Sequence, residues 1–209
     1  MTMEITARQA GAVARAAVWA DAEPLSQTLA RAFFDDPMMC FVLNDEATRP
    51  AKMARLFKLL FKLGLPYGAC DVTDGYEAAA LWRPPGRWHV SLWHYVVNAG
   101  EFLGLFGVAG AARTAAIMDH VEKRHPEEPH WYLQVIGTDP VRQGKGFGGV
   151  IMRRHLAAAD ASGMPAYLES SKESNIPIYA SFGFEVTGEI KVPDGPTLYP
   201  MWRKARTQD

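Results

Sequence analysis

The chain has 209 residues, 48% of them hydrophobic, with 22 Lys+Arg against 23 Asp+Glu and a net charge of −1. This ordinary globular composition excludes a disordered chain, a fibrous repeat and a coiled coil, and the charge balance argues against nucleic-acid binding, which relies on clustered cations. Two cysteines, Cys40 and Cys70, cannot build a disulfide framework, and residues 1–15 lack a basic start followed by an apolar run, so a reducing, cytoplasmic setting is expected.

Val13, Ala17 and Val18 suggest a first strand ending at Trp19. Asp21 then reads as an N-cap, with Glu23 and Pro24 in the first turn of a helix running to about Phe34, where Asp35-Asp36-Pro37 stops it. Leu56, Leu59, Leu60 and Leu63 form the apolar stripe of a second helix over 49–63, ended by Gly64 and Pro66. Strands are expected over 67–72 and 77–82, joined by Thr73-Asp74-Gly75. Residues 92–112 are apolar and about long enough to cross a bilayer. They carry Glu101 near mid-span, which is costly in lipid, so a buried or lid-forming helix pair and no membrane are expected. This helical insertion spans 88–128.

A strong strand, Trp131-Tyr132-Leu133-Gln134-Val135-Ile136, precedes Gly137-Thr138-Asp139-Pro140 and the glycine-rich run Gln143-Gly144-Lys145-Gly146-Phe147-Gly148-Gly149. A helix to about Ser162, a strand over 166–169, a short helix over 175–182 and a hairpin of 184–192 with 197–203 complete the chain. The strand–helix–strand unit at 131–169 requires parallel strands with a right-handed crossover, and the hairpin adds antiparallel ones. The expected fold is α/β, one domain over 1–209 with a mixed sheet.

Gly144-x-Gly146-x-x-Gly149 matches the dinucleotide fingerprint letter for letter. Three features oppose a nicotinamide enzyme. The run from Asp139 to Gln143 is too long for the tight turn, about sixty residues follow where further βα units are needed, and Lys145 adds charge inside the loop. No Walker A spacing is present. The remaining reading is a cradle of main-chain N–H groups at a helix start, flanked by Arg142 and Lys145, that holds a phosphate. The alternative is a structural turn.

Gln143-x-x-Gly146-x-Gly148 after a strand and Asp-Pro resembles the acetyl-coenzyme A loop of the Gcn5-related N-acetyltransferase (GNAT) family. Asn175-Ile-Pro-Ile-Tyr179-Ala-Ser-Phe-Gly183-Phe184 resembles that family's next motif. Further strings, among them Ala80-Leu-Trp82, His125-Pro-Glu-Glu-Pro129, Tyr167-Leu-Glu169 and Val192-Pro-Asp-Gly-Pro196, resemble the puromycin N-acetyltransferase branch. The resemblance implies the acyl-CoA N-acyltransferase fold, a mixed and mostly antiparallel sheet flanked by helices with a helical insertion between the third and fourth strands. It also implies acetyl-CoA as donor, a small-molecule amine as acceptor, direct transfer in a ternary complex, and a monomer or homodimer.

By this resemblance the acetyl-CoA-binding half is 131–203. Val135, Ile136, Gly137 and Thr138 would run beside the pantetheine arm, and Arg142, Gln143, Gly144, Lys145, Gly146, Phe147, Gly148 and Gly149 would hold the diphosphate. Asn175 would contact the cofactor, and Tyr179 would face the thiol.

The chemistry asks for a donor to the leaving thiolate and an acceptor for the amine proton. Tyr179, a phenol with an ordinary pKa near ~10, suits the first; it can also be a core aromatic. Many relatives carry a carboxylate on the strand before the loop, where this chain has Gln134, which cannot take a proton. Glu169 is the candidate base; it can also be a structural carboxylate pairing with Lys172 or capping the next helix. For the acceptor pocket, Phe34, Asp36, Met39 and Phe41 after the first helix and Trp82, Trp88 and Trp93 bordering the insertion combine aromatics with a carboxylate, which suits a bulky cationic amine; each can also be a core residue. His120, His125 and His130 recur every five residues, off one helix face, and no metal site is expected. An acyl-CoA-binding module without catalysis, which Gln134 favours, and transfer to a peptide amine are the other readings.

Overall fold

The computed structural model describes residues 12–89 and 97–206. Eight strands pair as β1 (Ala14–Ala16), β2 (Cys70–Thr73), β3 (Ala78–Arg83), β4 (Trp131–Thr138), β5 (Ala166–Ser170), β8 (Thr197–Arg203) and β6 (Glu185–Val186), with β7 (Ile190–Lys191) also on β8. Only β4 and β5 are parallel neighbours; the rest are antiparallel.

Alternation along β3 explains the layering. Ala79 and Leu81 face one core, under α1 (Ala22–Ala32) and α3 (Arg49–Gly64), with Leu25, Leu29, Phe57 and Phe61 fully buried against them. Ala78, Ala80 and Trp82 face the other core, under α5 (Phe147–Ala161), with Ile151, Met152 and Leu156. The period of two in side-chain direction makes β3 buried on both faces. Each such aliphatic or aromatic side chain contributes about 1.5–3 kcal/mol on burial.

One residue breaks the alternation in β4. Leu81 pairs with Val135 but Trp82 pairs with Leu133, so Gln134 is the extra residue of a β-bulge. Leu133 therefore faces the α5 core and Val135 the α1/α3 core. Sequence periodicity carries no sign of this. At Gly137 a Cβ would lie 2.7 Å from the Ala32 Cβ, so glycine here lets α1 lie directly on β4.

Several elements differ from the sequence reading. The first strand is only three residues long, and a 3₁₀ turn, Trp19–Asp21, follows it. Asp21 does not cap α1 with its side chain. It accepts two hydrogen bonds from Arg15 and one each from the Val18 N–H and the Tyr76 hydroxyl. These donors outcompete the cap and, led by Arg15, hold the Asp21 carboxyl far below the usual carboxylate range. Asp36-Pro37 stops α1 but also starts α2 (Pro37–Val42), because a proline suits a first helical turn. The segment expected as one strand over 184–192 is two two-residue strands. The expected short helix is a 3₁₀ turn, Glu173–Asn175, followed by α6 (Ile176–Ala180).

The insertion between β3 and β4 contains α4 (Ala99–Glu122), kinked where Gly107 adopts φ 67°. By length and composition α4 could cross a membrane. Its apolar residues have a second use here, since Phe102, Phe106, Ala115 and Met118 roof a cavity. Ile117 and Val121 anchor its C-terminal half against Met38, Ile190 and Leu198. Val108 on the outer side is exposed, so α4 is a lid rather than a buried helix. The first part of the expected insertion, 90–96, lies outside the described residues.

Candidate active site

β4 and β5 pair only at Trp131↔Ala166 and Tyr132↔Tyr167. Each strand keeps its other neighbour along its length, β3 for β4 and β8 for β5. The two therefore diverge beyond Tyr132, and that side of β4 has no strand partner up to Thr138 among the described residues.

The glycine loop closes the far end of this gap. The Arg142 and Gln143 amides bond back to Asp139 and Pro140. The amides of residues 144–149 donate to no acceptor among the described residues. Gly144 and Gly146 adopt φ 72° and 85°, left-handed values that cost other residues about 1–2 kcal/mol. Gly146 is the N-cap of α5 with no side-chain cap, so the positive end of the helix dipole joins the free amides.

The loop is braced from β4. Gln143 Nε2 donates to the Thr138 carbonyl at 3.2 Å, and Asp139 accepts from Arg31 and from the Val141 N–H. A Cβ on Gly148 would come within 3.1 Å of Thr138 Oγ1, so a side chain there would crowd the end of β4. Arg142 and Lys145 are exposed and make no salt bridge among the described residues. The arrangement can receive a diphosphate, and the gap offers an unpaired strand edge to an extended arm. Val135 and Gly137 are buried, so only their main chain faces outward; Ile136 and Phe147 are half-buried against the α5 core.

At the near end lies a cavity of about 500 Å³ enclosed by α1–α4 and the ends of β4 and β5. Most of its lining is apolar, Phe57, Leu60 and Phe106 among it, and its acidic side chains are Asp36, Glu122 and Glu169. Glu169 is buried and does not pair with Lys172, which binds Asp35 at 2.7 Å instead. Its partner is His125 Nδ1 at 3.3 Å. His125 Nε2 lies 2.9 Å from His130 Nε2, and His130 Nδ1 lies 2.6 Å from the Glu128 carbonyl. Trp88 stacks on His125 with ring centres 3.8 Å apart. Tyr132 and Tyr167 lie nearly perpendicular to the same imidazole, with ring centres 4.8 and 4.7 Å away. Burial, reinforced by the Glu169 charge, pushes both phenols well above their ordinary pKa, so they stay protonated.

Gln134 also lines the cavity, at the bulge. Its Oε1 accepts from Arg83 Nε at 3.0 Å, and Arg83 also donates to the Leu60 carbonyl. Gln134 is thus a neutral acceptor for a buried guanidinium, a role a sequence comparison with carboxylate-bearing relatives does not suggest.

Tyr179 is on α6, edge-on to Phe184 and half-buried. Burial first, and the Asp36 charge second, push its phenol up to about 12. Asp36 caps α2 through the Met38 and Met39 amides and accepts a short hydrogen bond from Ser171. Asn175, immediately before α6, makes no side-chain hydrogen bond among the described residues.

Of the acceptor-pocket residues read from sequence, Trp93 lies outside the described residues, and Asp36, Met39 and Trp88 line the cavity. Trp82 does not. It is fully buried on the opposite face of β3, stacked on His155 at 4.3 Å, because strand alternation turns it toward α5. Phe34 is partly exposed beside Arg49, and Phe41 packs under Arg113 and against Gly195, both outside the cavity wall. In sequence, His125 and His130 are weighed only as metal ligands and Trp88 only as a pocket aromatic, and nothing brings the three together beside Glu169. A five-residue spacing excludes a shared helix face, but here the chain has left the helix and folds back between the two histidines. No group of three metal-ligating side chains occurs among the described residues.

The comparisons agree with this geometry. The sequence profile of the acetyltransferase (GNAT) family matches residues 57–184. An uncharacterized N-acetyltransferase of Schizosaccharomyces pombe is 26% identical over 176 residues, covering 78% of this chain and 70% of its own length. The solved structure described as histone acetyltransferase HPA2 and related acetyltransferase from Corynebacterium glutamicum superposes with a TM-score of 0.71 at 25% identity, covering 94% of this chain and 98% of its own. An arylalkylamine N-acetyltransferase from Aedes aegypti superposes at 0.66 with 13% identity, over 94% of this chain and 100% of its own, a likeness of fold. With a divided β4–β5 pair, a glycine loop of free amides and a match over most of its length, this chain belongs to the acetyltransferase (GNAT) family and is an N-acetyltransferase.

Proposed function

We propose that this protein is a single-domain enzyme that moves the acetyl group of acetyl-CoA to the amine of a small molecule with a bulky apolar body, by direct transfer in a ternary complex. The observation that carries the reading is the cavity. It is roofed by α4, largely apolar, and has the Glu169 carboxylate where β5 ends beside the gap. Apolar walls with a few convergent acids suit an organic cation whose body is hydrophobic. The resemblance to the puromycin branch points the same way, toward an acceptor such as an aminonucleoside, and the Aedes protein carries an arylalkylamine in its name.

The donor supplies an activated acetyl thioester. The free amides of residues 144–149 hold its diphosphate, and the unpaired edge of β4 takes its arm, with a main-chain N–H near Ile136 facing the carbonyl oxygen. Glu169 accepts the proton that the amine must lose before its lone pair can react. Tyr179, protonated up to about pH 12, keeps a proton for the leaving thiolate. Direct transfer is favoured over an acyl-cysteine because neither cysteine lines the cavity. Burial pushes the Cys70 thiol up to about 12, and Cys40 turns to the Phe34 carbonyl.

The test is release of free thiol from acetyl-CoA with a panel of arylalkylamines, aminonucleosides, polyamines and a lysine peptide. Turnover with apolar primary amines above that with the peptide is expected. Turnover with the peptide alone would overturn the acceptor class, and coenzyme binding without turnover on any amine would favour a silent binding module.

A further inference from the structure

The string Glu169–His125–His130–Glu128 fixes its own protons. The Glu128 carbonyl can only accept, so His130 Nδ1 carries a hydrogen. Burial lowers the His130 pKa below its ordinary value, so at neutral pH the ring is uncharged and Nε2 holds a lone pair. His125 Nε2, 2.9 Å away, must then be the donor. A neutral His125 so oriented presents a bare Nδ1 to Glu169 Oε1 at 3.3 Å, two lone pairs facing each other. One proton relieves that repulsion, whether written on the carboxylate or on the imidazole. These protons are assigned from the network of partners.

We propose that Glu169 and His125 accept the amine proton as one unit, with His125 the group that receives it and His130 the positioning residue that sets its tautomer. This rests on Glu169 being the base. The N–H bond of the bound ammonium breaks and its electron pair stays on nitrogen. The proton passes to Glu169 and is shared with His125 Nδ1, taking the pair from a charge of −1 to neutral, and it returns to solvent after the product leaves. The groups facing His125 are Glu169 and Tyr167 from β5, Tyr132 from β4 and His130 from the returning segment. Trp88 stacks on its face. Glu122, at the end of α4, lines the same cavity and is paired with His89 at 3.2 Å. With both phenols held protonated, the facing Glu169 oxygen and His125 Nδ1 are the two atoms placed to share the proton.

The experiment is the pH profile of kcat and kcat/KM for the wild type and for E169Q, H125Q, H130Q and H130L, at saturating acetyl-CoA. H125Q is expected to lose roughly tenfold or more in kcat, with donor KM unchanged and the midpoint of the acid limb displaced. H130Q keeps a carbonyl acceptor for His125 and should retain most activity, whereas H130L removes it and should not. In the wild type, the nitrogen-15 shifts of the two rings above the acid limb should report Nδ1–H for His130 and Nε2–H for His125, independent of how any variant folds. Wild-type kcat and an unmoved acid limb in H125Q, with E169Q inactive, would overturn the shared unit and leave Glu169 as a lone base. Full activity in E169Q would overturn the base itself, and the opposite tautomers would overturn the proton assignment.

Discussion

The two ends of the β4–β5 gap are built from opposite materials. At the loop end, the proposed recognition uses main-chain amides left free, among the described residues, on a glycine-rich segment that is exposed up to Lys145 and half-buried from Gly146. At the cavity end, the proposed recognition uses buried side chains held by one another, Glu169 by His125 and His125 by His130 and Trp88. Main-chain amides bind any diphosphate of the right shape, and a charged group can reach them from water. Buried polar groups admit few partners, and their low-dielectric surroundings make each partner costly to remove. The first end suits a donor common to many reactions; the second suits a particular acceptor.

This contrast can be broken by substitution. The largest effect is expected from E169Q, a loss of about 10²–10³ in kcat with the thermal shift on adding coenzyme A unchanged; loss of that shift would mean the two ends are not separable. Y179F should lower kcat by roughly tenfold or more, again without loss of coenzyme affinity. The wild-type phenol is raised to about 12, so it stays protonated below that value. Any fall in activity with rising pH that belongs to Tyr179 therefore lies near pH 12, and an alkaline limb at lower pH should survive in Y179F.

At the other end, G146A forces a side chain into φ 85° at a cost of about 1–2 kcal/mol. Donor KM should rise by about tenfold while kcat at saturation changes little. The smallest effect is expected from F34A. The ring is partly exposed and outside the cavity wall, so acceptor KM should stay within about twofold, in the range of ordinary surface substitutions. A large rise would place Phe34 in the acceptor path.

How much of each end could be read beforehand follows from the same contrast. The glycine loop is contiguous, and its function lies in backbone conformation, which glycine spacing after a strand encodes locally. Glu169 and Tyr179 enter as candidates because their chemical types stand within motifs. The setting of Glu169 is not legible there, because its partner His125 comes from just past a helix end and is itself held by Trp88 from a loop and His130 from a returning turn. The bulge at Gln134 was equally hidden. It sets which faces Leu133 and Val135 occupy, and only the pairing with β3 reveals it. Trp82 was misassigned to the pocket for the complementary reason: an aromatic before a loop reads as pocket-lining until strand alternation decides its side.

The sequence by itself determined the order of elements, the parallel strand–helix–strand unit and the glycine loop at the start of a helix, since each depends on neighbours within a few residues. Tertiary structure alone decided that α4 is a roof, that Lys172 binds Asp35 and leaves Glu169 to His125, and that Asp36 spends its oxygens on a helix cap and Ser171. Those outcomes hang on which side chains meet across long stretches of chain, where burial and competition for hydrogen-bond partners choose among pairings that local sequence leaves equal.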